Sequence, residues 1–236
     1  MLVGLIKNKC RLKQTDKEVF LTTFLNPVSY LKARKNIVIY SQFDSILADG
    51  WLFVIALRMV GIKTKRYSFD MTSLAPVVFN KAIELDQSIY FIGSKPDEIK
   101  NFIKIIKTNF PALNIKGHRN GYFKNSKERD TTIKDIQILT PDVVIVGMGV
   151  PLQEKFLVDL QNAGWEGIGY TCGGFIHQTS RGIYYYPKWV NKLHLRMPYR
   201  ALKEPHFRKR IPDYLKFVFI FISDYRKYKK QLNHSL

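Results

Sequence analysis

At 236 residues, with 46% hydrophobic and 14% aromatic residues, the chain has enough apolar side chains for one full core and an appendage, which excludes a wholly disordered protein. Its formal net charge of +19 favours polyanionic partners, such as nucleic acid, an anionic membrane or phosphorylated ligands. The longer uninterrupted apolar runs, such as residues 51–57 and 217–222, are far shorter than the roughly 20 residues that span a bilayer.

The positive charge is concentrated at the C-terminal end. Residues 181–236 contain 14 Lys and Arg against 3 Asp and Glu, a net charge of +11, whereas the first 180 residues carry +8. The first ten residues have too short an apolar segment for a secretory signal, and no small-residue cleavage site follows them. We therefore expect a cytoplasmic protein.

Short β-rich runs alternate with helical patterns along most of the chain. The β-rich runs are residues 19–25, 36–40, 88–93, 114–117, 142–147 and 167–171. Apolar residues recur at three- and four-residue steps in residues 51–60, 74–85, 97–109, 128–139 and 151–163. This alternation predicts an α/β fold, with a mostly parallel sheet covered by helices and ligands docking at the sheet edge.

The pattern changes after Gly182. An aromatic segment, residues 184–189, is followed by helical segments rich in Lys and Arg, with no further strand-like run. We predict an α/β core over residues 1–182 and a basic helical appendage over residues 183–236 that packs on it. The basic residues near the apolar run 217–222 predict peripheral, salt-sensitive attachment to an anionic membrane. A charged helix whose apolar side packs on the core has the same pattern.

Two glycines lie in one strand-to-helix turn. The predicted strand 142–147 runs through Gly147 and Gly149 into a helix that starts near Pro151. Free N–H groups at a helix N-terminus bind phosphates, so this turn suits a diphosphate. Close helix packing is the alternative explanation, and the third glycine of a dinucleotide fingerprint is missing.

Asp49 and Arg66 lie on either side of another predicted helix. Asp49-Gly50 directly precedes residues 51–60, where a carboxylate either caps the helix or acts as a general base toward an acceptor hydroxyl. Arg66 is either a surface cation or a fork that binds phosphate. The spacing alone leaves both pairs of alternatives open.

The sequence shows no pattern of metal ligands or of covalent catalysis. Cys10 and Cys172 are far apart and are expected to be free thiols, and the five histidines have no zinc-site spacing. No Ser-His-Asp or Cys-His arrangement stands out. We predict no metal site.

A series of short motifs spans nearly the whole chain. It comprises Asn26-Pro27, Ala48-Asp49-Gly50, Gly61 with Arg66, residues 117–123, residues 146–155, Gly173-Gly174, residues 186–189, Tyr199-Arg200 and Glu204-Pro205. In this order and spacing, the motifs resemble the WecG/TagA/CpsF family of bacterial glycosyltransferases, glycosyltransferase family 26.

The resemblance implies a Rossmann-like core and inverting transfer of a hexosyl or N-acetylhexosaminyl group from a UDP-sugar to a polyisoprenoid diphosphate-linked sugar. It implies no required metal or cofactor, and a role in capsule, exopolysaccharide or other cell-surface polysaccharide synthesis. Asp49 falls on the catalytic base. The appendage is expected to cover the site and to engage the inner face of the cell membrane. The candidate substrate-binding residues are Thr23, Asn26, Arg66, Gly147, Gly149 and Gln153 in the core, and Arg200, Arg208 and Arg210 in the appendage.

Three positions depart from the family pattern. Phe24 stands where many members have Thr two residues before the Asn, and Thr23 lies one position earlier. Ile176-His177 replaces an aromatic-Asp pair after the two glycines, and residues 66–69 differ from the usual turn. The change at Ile176-His177 predicts altered donor recognition, and the change at residues 66–69 predicts a different backbone near the donor. The sequence does not decide whether Thr23 replaces the family Thr.

A non-catalytic basic module that binds nucleic acid or an anionic membrane is the alternative function, with Tyr and Trp side chains as stacking platforms. Its nucleic-acid affinity would fall steeply with salt and survive Asp49→Asn, whereas an enzyme would lose transfer. An oxidoreductase with a nucleotide cofactor is disfavoured because the fingerprint is absent. We expect an enzyme with no nucleic-acid partner.

Overall fold

Six parallel strands form a single sheet in this computed structural model, which describes residues 1–11, 19–193, 195–203 and 208–233. The sheet order is β2-β1-β6-β5-β3-β4, and every neighbouring pair is parallel. The predicted α/β fold with a mostly parallel sheet is confirmed. The strands are β1 Phe20–Leu25, β2 Ser45–Ala48, β3 Ile89–Gly93, β4 Ile115–Arg119, β5 Val143–Gly147 and β6 Ile168–Thr171.

Helices cover both faces of the sheet and then form the appendage. Those up to residue 182 are α1 Leu2–Lys9, α2 Pro27–Ala33, α3 Ile37–Ser41, α4 Trp51–Met59, α5 Leu74–Glu84, α6 Pro96–Asn109, α7 Ser126–Leu139, α8 Leu152–Asn162 and α9 Phe175–Thr179. In the appendage lie α10 Lys188–Lys192, α11 Arg196–Lys203 and α12 Ile211–Asn233. The Glu204-Pro205 motif falls outside the described residues.

Alternate residues of β1, β2, β3 and β5 enter two separate hydrophobic clusters. Leu21 and Val144 pack on one face with side chains of α1, α8 and α12. Phe24 and Ile145 pack on the other face with side chains of α5 and α6. Because both faces of the sheet are covered, β3 and β5 are buried and apolar nearly throughout, which is why the sequence shows them as continuous β-rich runs.

One predicted strand is wrong. Residues 36–40 were expected to be extended, but α3 occupies Ile37–Ser41, and the strand that follows β1 is β2, which the sequence pattern did not predict. The run is rich in β-branched residues, but Tyr40 is fully buried and contacts the Phe43 ring, and α3 packs on α8. Tertiary packing outweighs β propensity here.

The last helix of the appendage is anchored in the core. Phe217 and Phe221 of α12 are buried, and each ring lies 5.5 Å from that of Tyr30 on α2. Asp224 is also buried and forms an ion pair with Arg34. Packing of the appendage on the core agrees with the expectation, and the division at residues 182 and 183 stays a prediction. Within the described ranges, every helix is too short or too polar to cross a bilayer.

Candidate active site

The carboxyl ends of the strands lie along one edge of the sheet, and several candidate residues are found there. Asn26 follows β1, Asp49 follows β2, and Gly147 ends β5. The N–H of Asp49 donates to the carbonyl oxygen of Leu25 at 2.7 Å, so Asn26 and Asp49 leave neighbouring strands side by side. Ligands of open α/β sheets bind outside this edge, which makes it the candidate site.

Asn26 has a structural role that fixes its position at the edge. Its side-chain oxygen accepts hydrogen bonds from the N–H groups of Val28 and Ser29, both at 3.0 Å, and caps α2. The Ser29 hydroxyl accepts from the Asn26 N–H at 2.7 Å, which completes a capping box. The cap uses the amide oxygen and holds the amide in place beside Gly50.

Asp49 is not a helix cap. Gly50, in the left-handed region at φ +84°, precedes α4 instead, and the Asp49 carboxylate lies 3.4 Å from Nε of Arg66 with 32% of the side chain exposed. Burial raises the pKa of the Asp49 carboxyl, and Asp70 adds to this effect, whereas Arg66 and Arg196 oppose it. A partly exposed carboxylate with a raised pKa is suited to remove a proton from a hydroxyl.

Arg66 is held between two carboxylates. Its Nη2 lies 3.1 Å from Oδ2 of Asp70, and Arg196 of α11 approaches the same oxygen at 2.6 Å. Burial alone would raise the pKa of Asp70, but Arg196, Arg66 and hydrogen bonds from Ser68 and Thr72 lower it to about 2. Asp49, Arg66, Asp70 and Arg196 thus form a chain of alternating charge from the sheet edge into the appendage. We call these four residues the charge chain.

The two glycines of the predicted phosphate turn differ in their surroundings. A Cβ on Gly147 would lie 2.8 Å from Sγ of Cys172 and 3.1 Å from the carbonyl oxygen of Gly173, so close packing accounts for this glycine. Gly149 has φ +77° and open space around it, three residues before the first residue of α8. The free space at the helix N-terminus is therefore on the Gly149 side of the turn.

Gln153 and Thr23 belong to one buried hydrogen-bond network. The Gln153 side-chain oxygen accepts from the Gly173 N–H at 3.2 Å, and its Nε2 donates to Oε1 of Glu154 at 3.0 Å. The Thr23 hydroxyl donates to the same oxygen at 3.0 Å and accepts from the Thr171 hydroxyl at 3.0 Å. Thr23 has no exposed surface, so the structure places it beneath the edge, where it supports Gln153 through Glu154.

The three arginines assigned to the appendage have different environments. Arg208 donates to the carbonyl oxygens of Ala201 and Leu202, at 2.8 and 3.3 Å, and so caps the end of α11. Arg200 and Arg210 both act electrostatically on the hydroxyl of Tyr214, as does Asp49. Burial raises the pKa of Tyr214, Asp49 adds to the effect, and the two arginines oppose it. Tyr214 at the start of α12, Arg200 of α11 and Arg210 between the two helices therefore belong to one electrostatic group with the candidate base.

The family model described as the Glycosyl transferase WecG/TagA/CpsF family matches residues 3–231 of this chain. The chain belongs to this family. It is therefore a glycosyltransferase, as the motifs implied.

Named relatives of the family align over most of the chain. A Shigella boydii protein named UDP-Gal:alpha-D-GlcNAc-diphosphoundecaprenol beta-1,4-galactosyltransferase is 38% identical over 91% of this chain and 90% of its own length. Proteins named N-acetylglucosaminyldiphosphoundecaprenol N-acetyl-beta-D-mannosaminyltransferase are 28% identical in Bacillus spizizenii, over 86% of this chain and 78% of the relative, and 26% identical in Bacillus subtilis, over 84% and 76%.

Four residues near the site were not assigned from the sequence. Asp70 lies four residues after Arg66, but this spacing favours ion pairs only on a helix, and the segment between α4 and α5 is not helical. Glu154 follows Gln153 in the helix start and was read only as part of a motif. Arg196 and Tyr214 had no local signal, because their partners in the core are more than 100 residues away in sequence.

The departure at His177 has a structural counterpart. Its Nδ1 lies 2.8 Å from Oε1 of Glu98, which belongs to the first turn of α6, and the Ser94 hydroxyl donates to the other oxygen of this carboxylate. The WecG/TagA/CpsF resemblance expects an aromatic-Asp pair where Ile176-His177 stands. The carboxylate beside residue 177 therefore belongs to Glu98 of α6 and not to residue 177.

Cys10 and Cys172 are both buried and free, as predicted. Burial raises the pKa of each thiol, so neither is a reactive thiolate. In the described parts of the chain, no group of three or more His, Cys, Asp or Glu side chains could hold a metal ion.

Proposed function

We propose that this glycosyltransferase moves a sugar, with inversion, from a UDP-sugar to a polyisoprenoid diphosphate-linked sugar, with Asp49 as the general base. The observation that carries the proposal is the partly exposed Asp49 carboxylate at the end of β2, which lies against Arg66 and has a raised pKa. It leaves the sheet beside Asn26, at the edge where ligands of such sheets bind.

Inverting transfer needs one base and a stabilised leaving group. Asp49 takes the proton of the acceptor hydroxyl. The hydroxyl oxygen of the acceptor attacks the anomeric carbon of the donor sugar, and the bond from that carbon to the diphosphate of UDP breaks. Positive charge is required where UDP departs. The open N-terminus of α8 beside Gly149, together with Arg200 and Arg210, supplies it, and we propose that no metal ion is required.

The relatives narrow the substrates that we propose. The names of all three compared relatives contain N-acetylglucosamine linked to diphosphoundecaprenol, and the Shigella protein, at 38% identity, is named for UDP-Gal. We propose the same lipid-linked acceptor for this chain, with UDP-galactose as the first donor to test and a UDP-N-acetylhexosamine as the second. The product would serve capsule, exopolysaccharide or another cell-surface polysaccharide.

We also propose that α12 docks on the inner face of the cell membrane. Opposite the buried Phe217 and Phe221, the helix exposes Leu215, Phe219 and Ile222, and it carries five Lys or Arg against two Asp. Each cation near an anionic bilayer contributes on the order of 1 kcal/mol, and apolar side chains in the interface add to this. An acceptor anchored in lipid requires such proximity.

The test is Asp49→Asn, assayed by UDP release from UDP-galactose with a lipid-diphosphate GlcNAc acceptor, in the presence of EDTA. Turnover should fall by about 10² to 10⁴, while calorimetry shows unchanged UDP affinity. Asp86→Asn, at an exposed residue with φ +51°, is the matched control and should keep full turnover. Undiminished turnover in Asp49→Asn would remove this residue from the role of base.

A further inference from the structure

Asp70 receives two guanidinium groups on one oxygen. Arg66, from the segment between α4 and α5, lies 3.1 Å from Oδ2, and Arg196, the first residue of α11, lies 2.6 Å from it. Arg196 is 126 residues away from Asp70 in sequence. This contact is therefore a direct ionic link between the appendage and the candidate catalytic centre.

Arg196 is fixed on every side of its guanidinium group. Its Nε donates to the side-chain oxygen of Asn191 at 2.7 Å, its Nη2 donates to the Thr72 hydroxyl, and the group lies 4.7 Å from the centre of the Tyr186 ring. Only 19% of its side chain is exposed. An exposed ion pair contributes little, but a partly buried arginine with several directed hydrogen bonds holds its partner in a defined place.

The charge balance explains what this link does to Asp49. Arg66 alone would face two carboxylates, Asp49 at 3.4 Å and Asp70 at 3.1 Å. Arg196 brings a second positive charge to Asp70, so the four residues of the charge chain sum to zero. Asp70 then no longer competes fully for Arg66, which stays within reach of Asp49.

We propose that Arg196 is a positioning residue of the transfer reaction, which shares Asp70 with Arg66 and thereby keeps Arg66 on Asp49 when the appendage is docked. The inference rests on the proposed function of Asp49 as the base. Docking of α11 then also determines which positive charge lies beside the base, Asp49, in addition to covering the site. An undocked appendage leaves Asp70 to draw Arg66 away.

The charged groups around Asp49 fix the sign of the expected pH effect. They are Arg66 and Asp70 from the core, Arg196 from α11, and Tyr214 of α12 with its neighbours Arg200 and Arg210. Loss of the Arg196 charge raises the pKa of Asp49, so the acidic limb of the rate profile moves to higher pH. Loss of the Asp70 charge lowers this pKa and moves the limb to lower pH.

The experiment measures kcat/KM against pH for the full-length protein, with UDP-galactose and a water-soluble, short-chain acceptor that removes membrane docking from the readout. Arg196→Met should move the acidic limb upward and Asp70→Asn downward, each by about one pH unit. Arg196→Lys, which retains the charge, should return the limb to the wild-type position. Lys203→Met, which removes an exposed cation from the same helix, should leave the limb unchanged.

Opposite shifts separate positioning from a purely structural role. If Arg196 only held the appendage in place, Arg196→Met and Asp70→Asn would break the same contact and lower the rate alike, with no opposed movement of the limb. That outcome overturns the inference, as does an unmoved limb in both variants. Failure of the proposed function is recognised separately, because it would appear as full turnover in Asp49→Asn.

Discussion

Removal of the Asp224 carboxylate should detach α12 from the core. Three hydrogen bonds converge on this group: the Tyr30 hydroxyl donates to Oδ2 at 2.9 Å, and Arg34 donates from Nε to Oδ2 at 2.9 Å and from Nη2 to Oδ1 at 2.8 Å. Tyr30 is fully buried and Asp224 nearly so. Asp224→Ala therefore leaves a buried hydroxyl without its acceptor and a guanidinium group without its counter-charge.

The expected loss in the free energy of unfolding is about 3 kcal/mol. Breaking a buried ion pair by removing one partner costs about 3–5 kcal/mol, but 34% of the Arg34 side chain is exposed, so the freed charge reaches water and the cost falls to about 2 kcal/mol. The unsatisfied Tyr30 hydroxyl adds about 1 kcal/mol. Asp213→Ala, in the first turn of the same helix, removes only a favourable interaction with the helix dipole and should cost less than about 1 kcal/mol.

Urea unfolding followed by circular dichroism measures this loss, with Arg34→Met and the double variant completing a cycle. The sum of the losses in unfolding free energy of the two single variants should exceed the loss of the double variant by about 1–2 kcal/mol. The reason is that each single variant leaves the other charge without its partner. Faster hydrogen exchange in α12 than in the sheet would show that the helix opens locally. A loss below about 1 kcal/mol in Asp224→Ala, or one equal to that of Asp213→Ala, would refute the assignment of Asp224 as the anchor.

Two further changes test the site and the appendage. Arg66→Ala should weaken UDP binding in calorimetry by about 1.5–3 kcal/mol. It should also lower turnover, because Arg66 lies against Asp49. UDP affinity and turnover equal to those of the wild type would show that Arg66 is not part of the site. Replacing the exposed Leu215 and Phe219 together by Ser should weaken co-sedimentation with anionic vesicles at low salt, whereas Ile138→Ser, an exposed apolar residue of α7, should not; binding unchanged by the double variant would contradict docking through α12.

The sheet was predictable because its strands are short apolar runs bounded by turn residues. Five of the six strands agree with β-rich runs of the sequence, and β2 is the exception. Its four residues, Ser-Ile-Leu-Ala, are too few to show a period, whereas the neighbouring residues 37–41 have strong β propensity and form a helical turn. The choice between the two segments depends on which side chains α8 and β1 can bury, and no local pattern contains that information.

The site was predictable where its position follows from topology. Gly147 ends a strand that the sequence pattern predicts, which places it at the carboxyl edge of the sheet. Asp49 follows β2, which the pattern did not predict, so only the helix that begins after Gly50 indicated its position. The charge chain was not predictable, since Asp70 meets Arg66 in a segment without helical spacing and Arg196 belongs to a helix whose docking is decided by packing. Thr23 illustrates the same limit: its polarity indicates a partner, but only the structure shows that the partner is the buried Glu154.

The geometry of α12 connects the two halves of the proposed function. Phe217 and Phe219 are two residues apart, which separates them by about 200° around a helix, and the first is buried while the second is exposed. The side that faces the core and the side that we propose faces the lipid are thus opposite each other, about 10 Å apart, the diameter of one helix. We propose that a membrane surface on the outer side presents the diphosphate-linked sugar to the sheet edge. Because Tyr214, in the first turn of this helix, interacts electrostatically with Asp49, the docking that we propose would also bring the acceptor hydroxyl toward the base.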